Sequence, residues 1–292
     1  MMKMTFIVGT GRCGSTLLHE IIAKHKDASF ISNIEEKHGR LGFLGKWGNG
    51  FYRNNHLAIT RAGANRFAPS EGYRLIARNV SPIYVRPCRD LTSEDVSPWM
   101  KKRFYDFFEQ RYRKYNKPVL THKYTGWSRI GFFSTIFPEA KFVHIVRDGR
   151  AVASSWLQMK WWGGYEGPEN WFWGALTEDQ KQEWQNSNYS FATLAGLSWK
   201  ILADSYDKSS TMLDQERYMT VRYEDFLKEP AVQLKKILQF SELEWTDDFE
   251  GQFNKFNIRS SRKSAFEKDL SPTQLDELEK CISSKLTEYG YK

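Results

Sequence analysis

Thr5-Phe6-Ile7-Val8-Gly9-Thr10-Gly11-Arg12-Cys13-Gly14-Ser15-Thr16-Leu17-Leu18 decides the fold class of this 292-residue chain. Phe6-Ile7-Val8 is a short apolar run, as expected of a strand buried on both faces. Three glycines, Gly9, Gly11 and Gly14, then break the run. Leu17, Leu18, Ile21 and Ile22 resume at helical spacing, so the turn delivers a strand into an amphipathic helix. Such a turn aims successive backbone N–H groups, together with the positive end of the helix dipole, at one point. That point is an anion site, and phosphate is its usual occupant.

Two common phosphate loops do not match. The Walker pattern places Lys after its second glycine, and here Ser15 stands in that position. The spacing Gly9-x-Gly11-x-x-Gly14 lacks an acidic residue about twenty positions on that is clearly placed for a ribose. Glycines alone are equally compatible with a plain tight turn. Arg12 inside the loop, followed by Gly14-Ser15-Thr16, favours the anion.

Gly11-Arg12-Cys13-Gly14-Ser15-Thr16-Leu17-Leu18 resembles the 5′-phosphosulfate loop of the sulfotransferases that use 3′-phosphoadenosine 5′-phosphosulfate (PAPS). Phe142-Val143-His144-Ile145-Val146-Arg147-Asp148-Gly149-Arg150-Ala151-Val152-Ala153-Ser154-Ser155 resembles the 3′-phosphate-binding strand and helix of the same family. The motifs come in the family's order and at a family-like separation. The resemblance implies an α/β fold of the P-loop type, three layers deep, with a central parallel sheet between helices. No linker or repeat divides residues 1–292, so one domain is expected. The irregular stretch 39–115 and the Trp-rich stretch 157–192 are expected to line a substrate mouth.

The resemblance also assigns residues. Gly11, Arg12, Cys13, Gly14, Ser15 and Thr16 would hold the 5′-phosphosulfate, Cys13 through its amide alone. Arg147 and Ser155 would hold the 3′-phosphate, with Ser154 as the neighbour should the register slip. Asp148 could instead cap its helix and pair with Arg147. Tyr223 would neighbour the adenine, or simply cover the core. Arg262 and Lys263, in a late basic cluster, would fold over the 3′-phosphate or form a solvated charge run.

Sulfuryl transfer needs in-line positioning, cations at the bridging oxygen and a base for the acceptor's proton. With no Walker lysine and no Walker-type Asp, side-chain cations take the place of a metal, and no metal-binding spacing is apparent. Lys123 falls on the family's lysine at the bridging oxygen. For the base, the tyrosylprotein and bacterial carbohydrate branch points to a glutamate about twenty residues past the loop cation, hence Glu36, then Glu35. The cytosolic phenol and steroid branch points to His122.

The acceptor is a hydroxyl. Trp161, Trp162, Trp171, Trp173 and Trp184 suit a carbohydrate or glycolipid first and a phenol second, although indoles also serve as large packing units. Rival readings are a P-loop small-molecule kinase and a non-catalytic nucleotide-binding module. The net charge of +8 suits an anionic ligand. No basic run suggests a nucleic-acid arm, and no apolar run approaches a membrane span. Three widely spaced cysteines and the lack of a secretory signal point to a reducing compartment, the cytoplasm.

Overall fold

The computed structural model describes residues 2–39, 44–54, 65–258 and 264–291. Five parallel strands form one sheet: β1 (Met4–Gly9), β2 (Ala28–Ser29), β3 (Val119–Thr125), β4 (Lys141–Val146) and β5 (Tyr218–Arg222), in the spatial order β2-β3-β1-β4-β5. β1 is central and every one of its residues is buried, which accounts for its continuous apolar run. It pairs through Met4–Gly9 with Leu120–Thr125 on one side and through Thr5–Val8 with Lys141–His144 on the other. The strand order reverses at β1, so a crevice opens beyond the carboxyl ends of β1, β3 and β4, where open α/β sheets collect ligands.

The helices are α1 (Ser15–Ile22), α2 (Asn33–Lys37), α3 (Leu44–Arg53), α4 (Tyr73–Asn79), α5 (Pro98–Tyr115), α6 (Ile130–Ile136), α7 (Gly149–Leu157), α8 (Glu178–Asn186), α9 (Phe191–Ser210), α10 (Tyr223–Lys228), α11 (Pro230–Phe240), α12 (Asp247–Phe253), α13 (Phe266–Asp269) and α14 (Pro272–Glu288). Period-two alternation along the strands divides them into layers. Phe6, Val8, Leu120, Tyr124 and Phe142 face an aromatic layer carried by α4, α5 and α6. Ile7, Val143, Ile145 and Val221 face α1, α10 and α11. A third cluster joins α7, α9 and α14 through Trp156, Trp199 and Leu278, and Trp162, Trp171 and Trp173 pack into it. Trp162, Trp171 and Trp173 of the tryptophan-rich stretch are therefore buried in this cluster, while Trp161 is exposed. Among the described residues, no helix is long and apolar enough to cross a membrane.

The stretch 39–115 carries the short helices α3 and α4 among its loops and ends in α5, whose Phe104, Phe107, Phe108 and Tyr115 recur at helical spacing. The second strand is shorter than the run Ala28–Ser32 suggests, because after Ser29 the chain turns off and Ser32 bridges Pro69 antiparallel instead. The tail helix starts as its sequence predicts, with Ser271 and Gln274 exchanging capping hydrogen bonds and Pro272 in the first turn.

His122 belongs to the aromatic layer. It is fully buried, bonds the Tyr84 hydroxyl through Nε2 at 2.9 Å and packs edge-on against Phe108. Burial pushes its pKa down to about 3, and His144, stacked on Tyr206, is likewise held at about 3 by burial. Both fold as neutral rings. Their folded pKa values lie below the ordinary 6.5, so the stability they contribute is complete above that value and is lost as the pH falls from there towards 3. Denaturant titrations between pH 7 and pH 5 should show stability falling by up to about 1.4 kcal/mol per pH unit for each histidine. A flat profile over that interval would contradict the buried neutral state.

Candidate functional site

β1 ends at Gly9, and the chain then takes left-handed backbone angles at Gly11 (φ 90°), Arg12 (φ 55°) and Gly14 (φ 94°) before α1 begins. Gly14 caps α1 without a side chain, so the helix's leading N–H groups are presented by backbone alone. A Cβ on Gly14 would come within 2.3 Å of the Tyr223 ring, so that ring is seated directly against the loop. The Cys13 side chain is fully buried on the other side. With that side chain buried, its backbone amide is the group of Cys13 that a ligand could meet.

The second motif meets the loop here. Arg147, at the end of β4, donates through Nη1 to the Arg12 carbonyl at 2.7 Å, and its guanidinium lies 4.9 Å from the Tyr223 ring centroid. Arg12 donates in turn through Nε to Ser155 Oγ on α7 at 2.9 Å. The alternative partner for Arg147 is engaged elsewhere. Asp148 accepts from the Arg150 backbone N–H at 2.9 Å and pairs with the Arg150 guanidinium at 2.7 Å. Arg12 and Arg147 thus share one cleft of about 270 Å³, which Ser154, Ser155 and Phe266 also line. The late segment does border this cleft through α13, but Arg262 and Lys263 lie outside the described residues.

On the other side of Arg12 opens a larger cleft, about 510 Å³, into which Ser15, Thr16, Glu71 and Lys123 face. Lys123 is almost buried. It donates to Thr16 Oγ1 at 2.7 Å and forms an ion pair with Glu71 at 2.9 Å. Glu71 also accepts from Thr125 Oγ1 at 3.2 Å. The far wall is aromatic, with Trp161, Phe172 and Trp173. Three of the tryptophan-rich residues therefore line a mouth, while their neighbours pack the core.

Of the three residues considered for the base, Glu35 and His122 are placed away from the loop and Glu36 is held in hydrogen bonds at a turn. Glu35 is buried, pairs with Arg111 at 2.9 Å and accepts from the Tyr115 hydroxyl. It faces α5 rather than the loop, because α2 is a single short turn on which consecutive residues point to different sides. His122 lies within the aromatic core, one position along β3 from Lys123 and therefore on the opposite face of the sheet. Glu36 accepts from the Ser70 hydroxyl and from the Arg74 backbone N–H, the latter at 2.9 Å. It clamps both ends of the turn that carries Glu71. Glu71, which the sequence did not single out, is the carboxylate that meets Lys123 in this cleft. Its one local signal is weak: an acid beside Gly72, a left-handed residue that opens α4.

The residues present fit a nucleotide with two anionic ends. The loop offers amides and hydroxyls on one side of Arg12. On the other side stand Arg147 and Ser154, whose buried hydroxyl has no hydrogen-bonding partner among the described residues. Among those residues, no group of three His, Cys, Asp or Glu side chains comes together as metal ligands.

A model of the sulfotransferase family matches residues 5–247, spanning both motifs and the sheet. The chain belongs to the sulfotransferase family. The sulfuryl donor of this family is PAPS. The chain is 26% identical over 263 residues to the omega-hydroxy-beta-dihydromenaquinone-9 sulfotransferases Stf3 of Mycobacterium bovis and Mycobacterium tuberculosis, covering 80% of this chain. It spans about 61% of the length of those relatives. In fold it is similar to sulfotransferase STF9 from Mycobacterium avium, with a TM-score of 0.59 at 12% identity, over 98% of this chain and 76% of that one. The sulfotransferase domain of the Synechococcus olefin synthase gives a TM-score of 0.51 at 17% identity, over 95% and 93% of the two chains.

The seating of Tyr223 on Gly14 is directly testable in this member of the sulfotransferase family. Gly14→Ala would force a side chain into a left-handed position and against the ring. It should lower folding stability by about 1–3 kcal/mol in denaturant titrations. An unchanged midpoint would mean that the ring does not rest on the loop.

Proposed function

We propose that the protein transfers the sulfuryl group of PAPS to a hydroxyl of an apolar or amphipathic acceptor. The observation that carries this is the position of Arg12, which lines both the smaller cleft with Arg147 and the larger cleft with Lys123 and Glu71. One side chain thus borders a site for each end of the donor. Bound there, the donor supplies a sulfuryl group that is electron-poor at the transition state and a phosphate oxygen on which charge builds.

The chain's own residues then divide the work. Arg147, Ser154 and Ser155 hold the 3′-phosphate through charge-assisted and hydroxyl hydrogen bonds. The loop amides with Ser15 and Thr16 hold the 5′ end, and Tyr223 stands beside the adenine. Arg12 and Lys123 supply positive charge where the leaving oxygen develops. Glu71 takes the proton of the acceptor hydroxyl as that oxygen bonds to sulfur, and later releases it to solvent. Glu36 positions the turn that carries Glu71. Two things support a lipid-like acceptor ahead of a bare carbohydrate or a phenol: the aromatic wall of Trp161, Phe172 and Trp173, and the quinone-lipid named for the mycobacterial relatives.

Adenosine 3′,5′-bisphosphate without added metal should raise the melting temperature. Arg147→Ala should weaken its binding by about 1.5–3 kcal/mol in calorimetry, and unchanged affinity would remove Arg147 from the site. With labelled PAPS and a panel of hydroxylated lipids, Glu71→Gln should lower kcat by about 10²- to 10⁴-fold while nucleotide affinity is kept. Glu36→Gln, which loses one positioning hydrogen bond, should cost only about fivefold. If the Glu36 variant is inactive and the Glu71 variant turns over normally, the base is Glu36.

A further inference from the structure

Arg129 is an unusual cation in this protein. It stands at the entrance to α6 in a left-handed conformation (φ 48°) and is 2% exposed. Its backbone N–H is held by Asp90 Oδ1 at 2.7 Å. The guanidinium lies between the rings of Tyr84 and Tyr124, 5.3 and 5.4 Å from their centroids. Its Nε and Nη1 have no hydrogen-bond acceptor among the described residues, and no carboxylate there forms an ion pair with it.

Several other cations withdrawn from solvent have a carboxylate as direct partner. Arg111 faces Glu35, Lys123 faces Glu71, Arg150 faces Asp148 and Glu279, and Lys285 faces three carboxylates. Asp90, the acid nearest Arg129, uses Oδ1 on the backbone N–H groups of Arg129 and Leu91 and not on the guanidinium. The Asp90 carboxylate acts on Arg129 without a direct ion pair. A buried guanidinium lacking a direct ion-pair partner is costly to keep, and an anion that reaches it recovers part of that cost.

The place such an anion would occupy is defined. Arg129 lines the 510 Å³ cleft. A Cβ on Gly126 would stand 3.8 Å from Arg129 Nη2 and 3.3 Å from the Trp173 ring, so the guanidinium borders the cleft beside the aromatic wall. Gly126 follows directly on Thr125, whose hydroxyl is bonded to Glu71. The cleft therefore carries transfer residues at the loop, an apolar wall, and a buried cation along one side.

We infer that the acceptor is a hydroxylated organic acid, an amphiphile whose carboxylate is received by Arg129 while its hydroxyl reaches Glu71 and Lys123. This deepens the sulfotransferase reading and rests on it. A planar guanidinium offers paired parallel donors to a carboxylate, and an aromatic wall accommodates the hydrocarbon between the two ends.

Saturated fatty acids of graded chain length and their methyl esters, added to the protein with adenosine 3′,5′-bisphosphate bound, give a readout independent of catalysis. The acids should stabilise the protein and bind about 10- to 100-fold more tightly than their esters, and Arg129→Met should abolish that preference without changing nucleotide affinity. In transfer assays, ω-hydroxy fatty acids should exceed their methyl esters in kcat/KM by a similar factor. Equal binding of acid and ester by the unaltered protein overturns the proposal, and needs no variant that must fold. A loss of nucleotide affinity in Arg129→Met also overturns it, by assigning the arginine to the donor. Acid-selective binding with no transfer to any acceptor would count against the sulfotransferase reading while leaving the anion site standing.

Discussion

The hydrogen bond from the Arg147 guanidinium to the Arg12 carbonyl joins the two halves of the site, and the rest of the arrangement depends on it. Arg12 occupies a left-handed conformation unfavourable to a side chain of its size, so its placement needs support from outside the loop. Arg147 supplies that support from β4, Ser155 from α7, and the Tyr223 ring closes the loop from the end of β5. Three strand ends thereby converge on one turn. Because the strands are parallel and packed on both faces, their carboxyl ends are held at fixed separations by the sheet, not by the loops themselves.

The same economy appears in the carboxylates. Glu35, Glu36 and Glu71 lie on neighbouring segments, yet their hydrogen bonds separate them and only Glu71 lines the cleft. Glu35 neutralises Arg111 beneath α5, Glu36 closes the turn at 70–74, and Glu71 meets Lys123 at the loop. A buried acid facing a buried base, as in Glu35 with Arg111, costs much more to break than it adds when intact, which suits a fixed strut. Glu71 keeps partial exposure and shares Lys123 with the Thr16 hydroxyl.

Both nucleotide motifs were legible in the sequence because each is local: an apolar strand, a turn of defined chemistry, and a helix with period 3.6. Arg147 and Ser155 sit eight residues apart across one junction, so their relation follows from the element itself. Glu71 and Arg129 were not legible, for a physical reason. Each acquires its role from segments far away in the chain, Glu71 from the clamp by Glu36 and Arg129 from Tyr84, Tyr124 and Asp90. Periodicity does not report such contacts. His122 misled for a related reason. A histidine beside a lysine near a strand end invites a chemical role, but alternation along β3 sends Lys123 to the loop and His122 to the aromatic core. The tryptophans divided in the same way, since burial separates Trp162 and Trp171 from the exposed Trp161 only once α7 and α9 are packed.

Arg12 forms a wall common to both chambers, and this bears on how the two substrates communicate. Arg147 and Ser155, which border the smaller chamber, are both hydrogen-bonded to that partition. By thermodynamic reciprocity, any change that the nucleotide makes in acceptor affinity must be returned in equal measure to the nucleotide. Any coupling between the two ligands would have Arg12, the side chain that borders both chambers, as its shortest route, with no moving domain required to transmit it.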